Sequence, residues 1–404
     1  MKMIKQTQLM IVCLSIFYTN QLMASDQTEF KLKAIQHQIE QLKSQVAQQK
    51  SIKPIENDSQ SFVKANPVIA KLLSAGGAAY AREQLLLDAI AADNVKNHHL
   101  YLGGKLEHVT TYNSDLPNSD GSYNSSTQFS PKIKLGFLTR ISPWLSGFFS
   151  LQATDGGTSV SAKENYLLFN NGESSFYVIA GSKYVDFGNF QRFSVSIKPL
   201  NRVFWISDDV SQIEGGYYSS NLNAQATVFN GSSKTNTNTD QISNHAETVY
   251  YQFKPTTQMT FHLGGAYINA IRRTAKLENS TSVELTDHNR TPAMDIFAGG
   301  IIKINAKNSL QYSGEYTQTI QTDNDRNSSA WLVAGIYKTS ILSKSYQLFL
   351  NYSALNALTG HYNQYLIGVK SKFYGVKVGI DYALLAASEV KNDNIIELKL
   401  EYVF

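Results

Sequence analysis

The sequence predicts an all-β protein: a transmembrane antiparallel β-barrel of about sixteen strands, preceded by a short periplasmic coiled-coil helix. Three observations predict it. The chain opens on an export signal, apolar and polar residues alternate with a period of two after residue 97, and the connections between those stretches are short and long in turn.

The export signal comes first. Lys2 and Lys5 precede the apolar run LMIVCLSIFY, and LMA before Ser25 makes Ala24 the end of a cleavable segment, so residues 1–24 read as a signal peptide. The run is too short for an uncleaved anchor to span a bilayer. The single cysteine, Cys13, lies inside it, with Val12 where a lipoprotein wants a small residue. The mature chain therefore carries no disulfide and no thiol chemistry. Loss of Lys2 and Lys5 takes the formal charge from +4 to +2 (4 − 2), and no basic block follows, which argues against a nucleic-acid partner. Mean hydropathy is negative and no later stretch of about 18 apolar residues occurs, so no helix is expected to cross the membrane.

Residues 28–50 place Leu32, Ile35, Ile39, Leu42 and Val46 at spacings of three, four, three and four, the a and d positions of a short heptad run. So short a helix gains stability by pairing with copies of itself, or by packing on its own protein. Residues 51–97 are a linker with an Ala- and Leu-rich segment, VIAKLLSAGGAAYAREQLLLDAIAAD, expected to be helical and broken at Gly76 and Gly77. Whether residues 61–94 form a tether or a small plug stays open.

The barrel is expected over residues 98–404. In SLQYSGEYTQTI, Leu310, Tyr312, Gly314 and Tyr316 alternate with Gln311, Ser313, Glu315 and Thr317; YQLFLNYSAL, YGVKVGIDYALL and PKIKLGFLTRI repeat the pattern. Short turns are expected at 142–144, 170–175, 219–223, 254–257, 305–308, 340–345 and 373–375. Longer segments lie between them at 113–127, 155–161, 185–209, 231–244, 273–292, 321–327, 356–361 and 387–394. Seven short and eight long connections join sixteen strands and put both barrel ends on the short-turn, periplasmic side. Fourteen or eighteen strands remain open alternatives. A soluble sandwich would have no reason to sort its connections this way, whereas a closed barrel in lipid does.

The faces of these strands assign roles. Outward positions carry Tyr, Phe, Leu, Ile and Val and meet outer-membrane lipid. Inward positions carry Lys132, Lys134, Arg140, Glu315, Lys377 and Asp381 as lumen-wall residues, with Lys105, Glu107, Lys370 and Lys372 beside them. Each of these charges could equally be an ordinary solvated wall residue. A barrel of this size encloses a lumen wide enough for water, so a pore is the default reading. The third long loop, 185–210, carries Phe, Trp and Arg side chains that a solvated loop does not need. In general porins the loop at this place folds into the lumen. By that resemblance Arg192, Lys198, Arg202, Asp208 and Asp209 are candidates to line a constriction, the alternative being a loop packed on the rim.

Catalysis has no signature. His98 and His99 are adjacent, the remaining six histidines are scattered without ligand spacing, and neither G-x-S-x-G nor H-E-x-x-H occurs. No enzyme activity, metal or cofactor is expected.

Two local motifs carry a resemblance. Ala180, Gly181, Lys183, Tyr184, Phe187, Gly188 and Phe190 form an A-G-x-K-Y-x-x-F-G-x-F stretch, and Val228 to Gly231 a V-F-N-G strand end. With the signal peptide, coiled coil, linker and barrel they resemble the LbtU-like siderophore porins, related to the Fup and Fsl group of iron-uptake proteins. Asp186 stands where such proteins often have Pro. The resemblance implies passage of a ferric siderophore or similar small solute without TonB-type coupling, in the outer membrane of a Gram-negative bacterium. The 307 residues after position 97 (404 − 97) are too few for a plugged transporter of about 22 strands. A general small-solute porin and an adhesin or structural protein are the alternatives. A homotrimer is expected by analogy with sixteen-stranded porins.

The chain ends IIELKLEYVF. Leu398, Leu400, Tyr402 and Phe404 share one face, and Glu397, Lys399 and Glu401 the other. The apolar set resembles the signal read by the outer-membrane assembly machinery, which makes this the strand that closes the barrel near LYLGGKLEHV.

Overall fold

Lipid offers no partner to an unpaired N–H or C=O, so strands can cross it only in a sheet closed on itself. The computed structural model describes residues 63–65, 67–74, 80–117, 123–154, 159–190, 194, 196–205, 209–230, 244–271, 292–320, 328–341, 344–357, 360–387 and 393–404. The expected signal peptide and coiled coil lie outside them.

Sixteen strands form the barrel. They are β1 (Leu100–Pro117), β2 (Tyr123–Ser142), β3 (Leu145–Thr154), β4 (Ser159–Phe169), β5 (Phe176–Tyr184), β6 (Asp209–Tyr218), β7 (Leu222–Phe229) and β8 (Asn244–Phe253). After them come β9 (Met259–Ile268), β10 (Ala293–Lys303), β11 (Ser309–Thr319), β12 (Ser329–Ile341), β13 (Lys344–Ala357), β14 (Gly360–Phe373), β15 (Val376–Ala387) and β16 (Asp393–Val403). Each pairs antiparallel with its neighbours in sequence, and β16 pairs with β1 from Asn394 opposite Ser114 to Val403 opposite Lys105.

The expected alternation of short and long connections is observed in position, with differences in length. The first hairpin stays paired as far as Pro117 and Tyr123, so most of the segment 113–127 is strand. On the same side only residues 358–359 separate β13 from β14.

The outer face is lipid-like. Ile296, Val333, Leu350, Ile367, Ile380 and Leu398 are exposed, while the residues between them on each strand are buried or half-buried. Trp331 meets Tyr352 edge to face and Tyr352 lies tilted against Tyr365 toward the long-loop end, at 4.9 Å for each pair, and Phe253 and Phe261 meet at 5.4 Å toward the other end. Two aromatic girdles flanking an apolar band mark an outer-membrane barrel.

The closing seam rests on a glycine. Phe404 exchanges two backbone hydrogen bonds with Gly104 (2.8 and 3.0 Å), and its ring lies over that residue. A Cβ at Gly104 would stand 2.2 Å from the ring, so a side chain there would displace the Phe404 ring from its place over the seam. Val63–Ala65 pairs in parallel with Leu100–Leu102, the stretch of β1 beyond the end of β16.

Two helices follow that short segment: α1 (Pro67–Ser74), opened by a proline at its first position, and α2 (Tyr80–Ala91). Ile69, Leu72, Leu86, Leu87 and Ile90 are nearly fully buried on the wall residues Leu138, Phe148, Tyr166, Leu168, Tyr177 and Ile179. Those wall residues alternate with Phe149, Leu167, Phe169 and Val178, which are exposed to lipid. The helices are therefore inside the barrel, against β1–β6 in the periplasmic half. Ile69 sits over Gly136, where a Cβ would come within 2.7 Å of it.

Candidate functional site

The connection between β5 and β6 turns inward at once. Gly188 and Phe190 adopt positive φ (+76° and +37°), and a side chain at Gly188 would strike the Phe190 ring. Val185, Phe187, Phe190 and Leu200 are buried with Phe229, Ala246, Ala266, Ala293, Ala330 and Leu355, inward positions in the long-loop halves of β7–β13. Burial of this apolar set draws the loop off the surface and into the lumen.

Polar contacts then fix its course across the barrel. The N–H groups of Asn189 and Phe190 donate to Glu315 Oε1 on β11 (2.7 and 2.8 Å), and Asn201 Nδ2 donates to Glu315 Oε2 (2.7 Å). Farther on, Ser196 and Ile197 donate their N–H groups to Asp381 Oδ2 on β15 (2.6 and 3.0 Å). Leu200 N donates to Ser353 Oγ (3.1 Å), and Gln364 Nε2 to Lys198 O (3.3 Å). Ile197 sits among Leu332, Ala334, Ile336, Phe349, Leu366 and Ala383. Hydrogen bonds to a carboxylate are about twice as strong as neutral ones, so Glu315 and Asp381 are the two principal polar anchors of the loop.

One lysine joins this loop to the helices. Lys183, at the end of β5, is 1% exposed; its Nζ lies 2.9 Å from Glu83 of α2, 3.2 Å from Asp186 of the loop and 2.7 Å from Glu214 of β6. Gln225 donates to the same Asp186 oxygen and accepts from Tyr177 OH (2.9 Å), and Thr248 donates to Asp186 O (2.7 Å). Burial pushes the Asp186 carboxyl well above the usual carboxylate range; Lys183 pulls it back, and Glu83 and Glu214 push it further. Three carboxylates thus share one ammonium. A second link is the hydrogen bond from Tyr218 OH to Asp88 of α2.

The wall of β15, β16 and β1, on the periplasmic side of the Asp381 anchor, carries a charge network. Lys105 contacts Glu107 (2.9 Å) and Glu401 (3.2 Å), Lys399 contacts Glu401 (3.1 Å) and Glu107, and Lys377 contacts Glu401 (2.6 Å). Lys132 and Lys134 stand beside it, paired in register with Glu107 and Lys105.

The residues singled out in the sequence fall in several places. Glu315 and Asp381 face inward but lie buried beneath the loop, and Lys377 belongs to the seam network. Arg140 is buried at the periplasmic end, where it donates to Val95 O (3.1 Å) and Pro143 O (3.0 Å) and fastens the chain between α2 and β1. Arg202 is buried and donates to Phe190 O (3.0 Å), bracing the loop internally. Lys198 is exposed. Asp209 opens β6 opposite Tyr184; Arg192 and Asp208 lie outside the described residues. Lys183, Glu83 and Asp186 were not singled out as a site, although a lysine three residues before an aspartate, just ahead of an apolar loop, is a legible signal. Among the described residues no cluster has the composition of a metal site.

The two inserts occupy different quadrants. The loop covers β6–β15 toward the long-loop end, and the helices cover β1–β6 toward the periplasm.

Among solved structures the chain is similar to an anion-selective porin from Comamonas acidovorans, at 11% identity and a TM-score of 0.55 over 76% of this chain and 99% of that one. It is likewise similar to OprB of Pseudomonas putida (12%, 0.54, 80% and 96%) and to the outer membrane channel DcaP of Acinetobacter baumannii (14%, 0.51, 76% and 97%). No protein-family model matches the chain, and no curated protein matches it in sequence. At such identities the likeness speaks to fold, and the fold is the sixteen-stranded barrel of the outer-membrane porins.

Proposed function

We propose that the chain is an outer-membrane channel passing a ferric siderophore or a similar small solute without TonB-type coupling. The observation that carries the channel reading is the closed sixteen-stranded barrel itself, with charged residues on its inner wall and its own loop turned into the lumen. Arg192, Lys198, Arg202, Asp208 and Asp209 are proposed to line the constriction, Lys198 being exposed and Arg202 holding the loop. The siderophore reading is supported by the resemblance around Ala180–Phe190. A general small-solute porin is the second reading, favoured by the likeness to channels of several bacteria.

Planar-bilayer recording of the full mature chain is the test. Discrete conductance steps are expected, and a reconstituted barrel that carries no current sinks the reading. Deleting residues 190–207 should raise the step size. Cells making the protein should take up labelled ferric siderophore faster than cells without it; equal uptake leaves the general porin. The trimer is proposed by analogy of fold and is checked by the mass of the detergent-solubilised protein. Phe404→Asp should lower outer-membrane levels if the last strand is the assembly signal, and normal levels would count against that role.

A further inference from the structure

Two acids meet beneath the loop. Asp295 on β10 and Glu315 on β11 face inward and are buried, at 1% and 5% exposed, and their carboxyl groups lie within hydrogen-bonding reach of each other. Glu315 receives three N–H donors from the loop, those of Asn189, Phe190 and the Asn201 side chain. Asp295 accepts at Oδ1 from the hydroxyl of Thr317 (2.5 Å), and its Oδ2 is buried with no donor.

No cation offsets the pair. The positions opposite the two acids on the flanking strands are apolar, Ala266 on β9 facing Asp295 and Leu332 on β12 facing Glu315. On the loop the adjoining charged side chain is Arg202, whose Nη1 donates to Phe190 O, and Asp186 is engaged by Lys183. Among the described residues no Lys, Arg or His nitrogen lies within 4.0 Å of either acid. A hydrogen bond between two carboxyl groups requires a proton on one of them, and two anions cannot share so buried a place. With three N–H donors Glu315 is the acid held as an anion, so Asp295 carries the proton.

We infer that the Asp295–Glu315 pair is a proton-operated catch on the loop, seating it while one proton is shared and releasing it when alkaline medium takes that proton away. The inference rests on the channel reading and adds a control of passage to it. Without the proton two negative charges stand in contact under the loop, and water reaches them when the loop lifts. The seated loop thus binds one proton more than the lifted loop. Rising pH therefore favours lifting, by up to about tenfold in the ratio of the two states per pH unit. The pore is narrow in neutral medium and widens in alkali.

The test is bilayer recording of the full mature chain in potassium chloride from about pH 6 to about pH 10, above the ordinary carboxylate range. The step size of wild type should rise with pH toward that of the channel lacking residues 190–207. Asp295→Asn puts a fixed N–H where the proton lies, so its step size should stay at the neutral wild-type value throughout. Thr317→Val removes the hydroxyl that favours ionised Asp295 and should move the midpoint of the rise up by about one pH unit. Asp186→Asn alters the Lys183 cluster and leaves this pair intact, so it should keep the rise. If Asp295→Asn fails to insert, the midpoint of Thr317→Val carries the test. A wild-type step size that ignores pH, a rise that persists in Asp295→Asn, or an unmoved midpoint in Thr317→Val overturns the catch while leaving the channel standing. Absence of any current in wild type removes the channel, and the catch with it.

Discussion

The loop between β5 and β6 and the helix pair α1–α2 both fill the barrel from inside, yet they are held differently. The loop is fixed at both ends by the strands it joins, and its crossing is pinned by N–H groups on Glu315 and Asp381. The helices continue into a strand at one end, through the segment fastened by Arg140, and adhere by apolar burial of Ile69, Leu72, Leu86, Leu87 and Ile90. Each such side chain contributes about 1.5–3 kcal/mol. The course of the loop is set by directional bonds at named atoms, whereas the helices rest mainly on non-directional burial, with Glu83 and Asp88 bonded to Lys183 and Tyr218. Lys183 is where the two modes meet.

The comparison breaks most sharply at that lysine. Lys183→Met leaves Glu83, Asp186 and Glu214 buried without their cation, a loss of roughly 3–5 kcal/mol, and should loosen both inserts. Thermal unfolding in detergent should shift down and open-channel noise should rise; an unchanged melting curve would show that the three carboxylates do not depend on it. Next in size, deleting residues 63–91 should raise single-channel conductance while the barrel still resists denaturation by detergent, because none of its strands is lost. Conductance equal to wild type would mean that the helices leave the lumen on reconstitution. Glu315→Ala removes the acceptor of two backbone N–H groups and one amide, at about 1–3 kcal/mol each, and should make the loop flicker without altering the helices. Cysteine labelling at position 189 in the variant, faster than in the same probe on the wild-type background, is the check.

The smallest effect expected is one of pH. Because the Asp186 carboxyl is held above its ordinary range, its contribution to the latch is complete at acid pH and is lost as pH rises toward its raised value. Channel noise should grow on going from acid to neutral pH, and Asp186→Asn should flatten that dependence. A profile identical in the variant would exclude Asp186 as its source.

Much of this was legible in the sequence because the barrel obeys a two-sided rule. Leu348 and Leu350 must meet lipid and Asn351 and Ser353 the interior, so the period of two, the turn positions and the number of strands are written residue by residue. The inward loop was legible from Phe187 and Phe190, too apolar for water. The helices were not placed, since the spacing of Ile69, Leu72 and Leu73 says that one face is buried but not against what. Glu315 and Asp381 read as solvated wall residues because alternation reports the side a residue faces and is blind to what covers it. Glu83, Lys183 and Glu214 lie on three separate elements, and only the folded wall makes them neighbours.

The end of the chain has one more consequence. β16 stops opposite Gly104, but β1 continues down to Leu100, so three of its residues would offer bare backbone groups to the solvent if nothing lay beside them. Such an unpaired edge is a template on which a strand from another molecule can add. Val63–Ala65 occupies that place, so the stretch leading into the helices also guards the barrel against sticking edge to edge. A truncation that removes residues 63–65 would uncover it, and one that begins at residue 67 leaves the backbone of Leu100–Leu102 equally bare. Concentration-dependent clustering of either truncated barrel, relieved when the peptide spanning residues 61–66 is supplied in excess, would be the mark of that exposed edge.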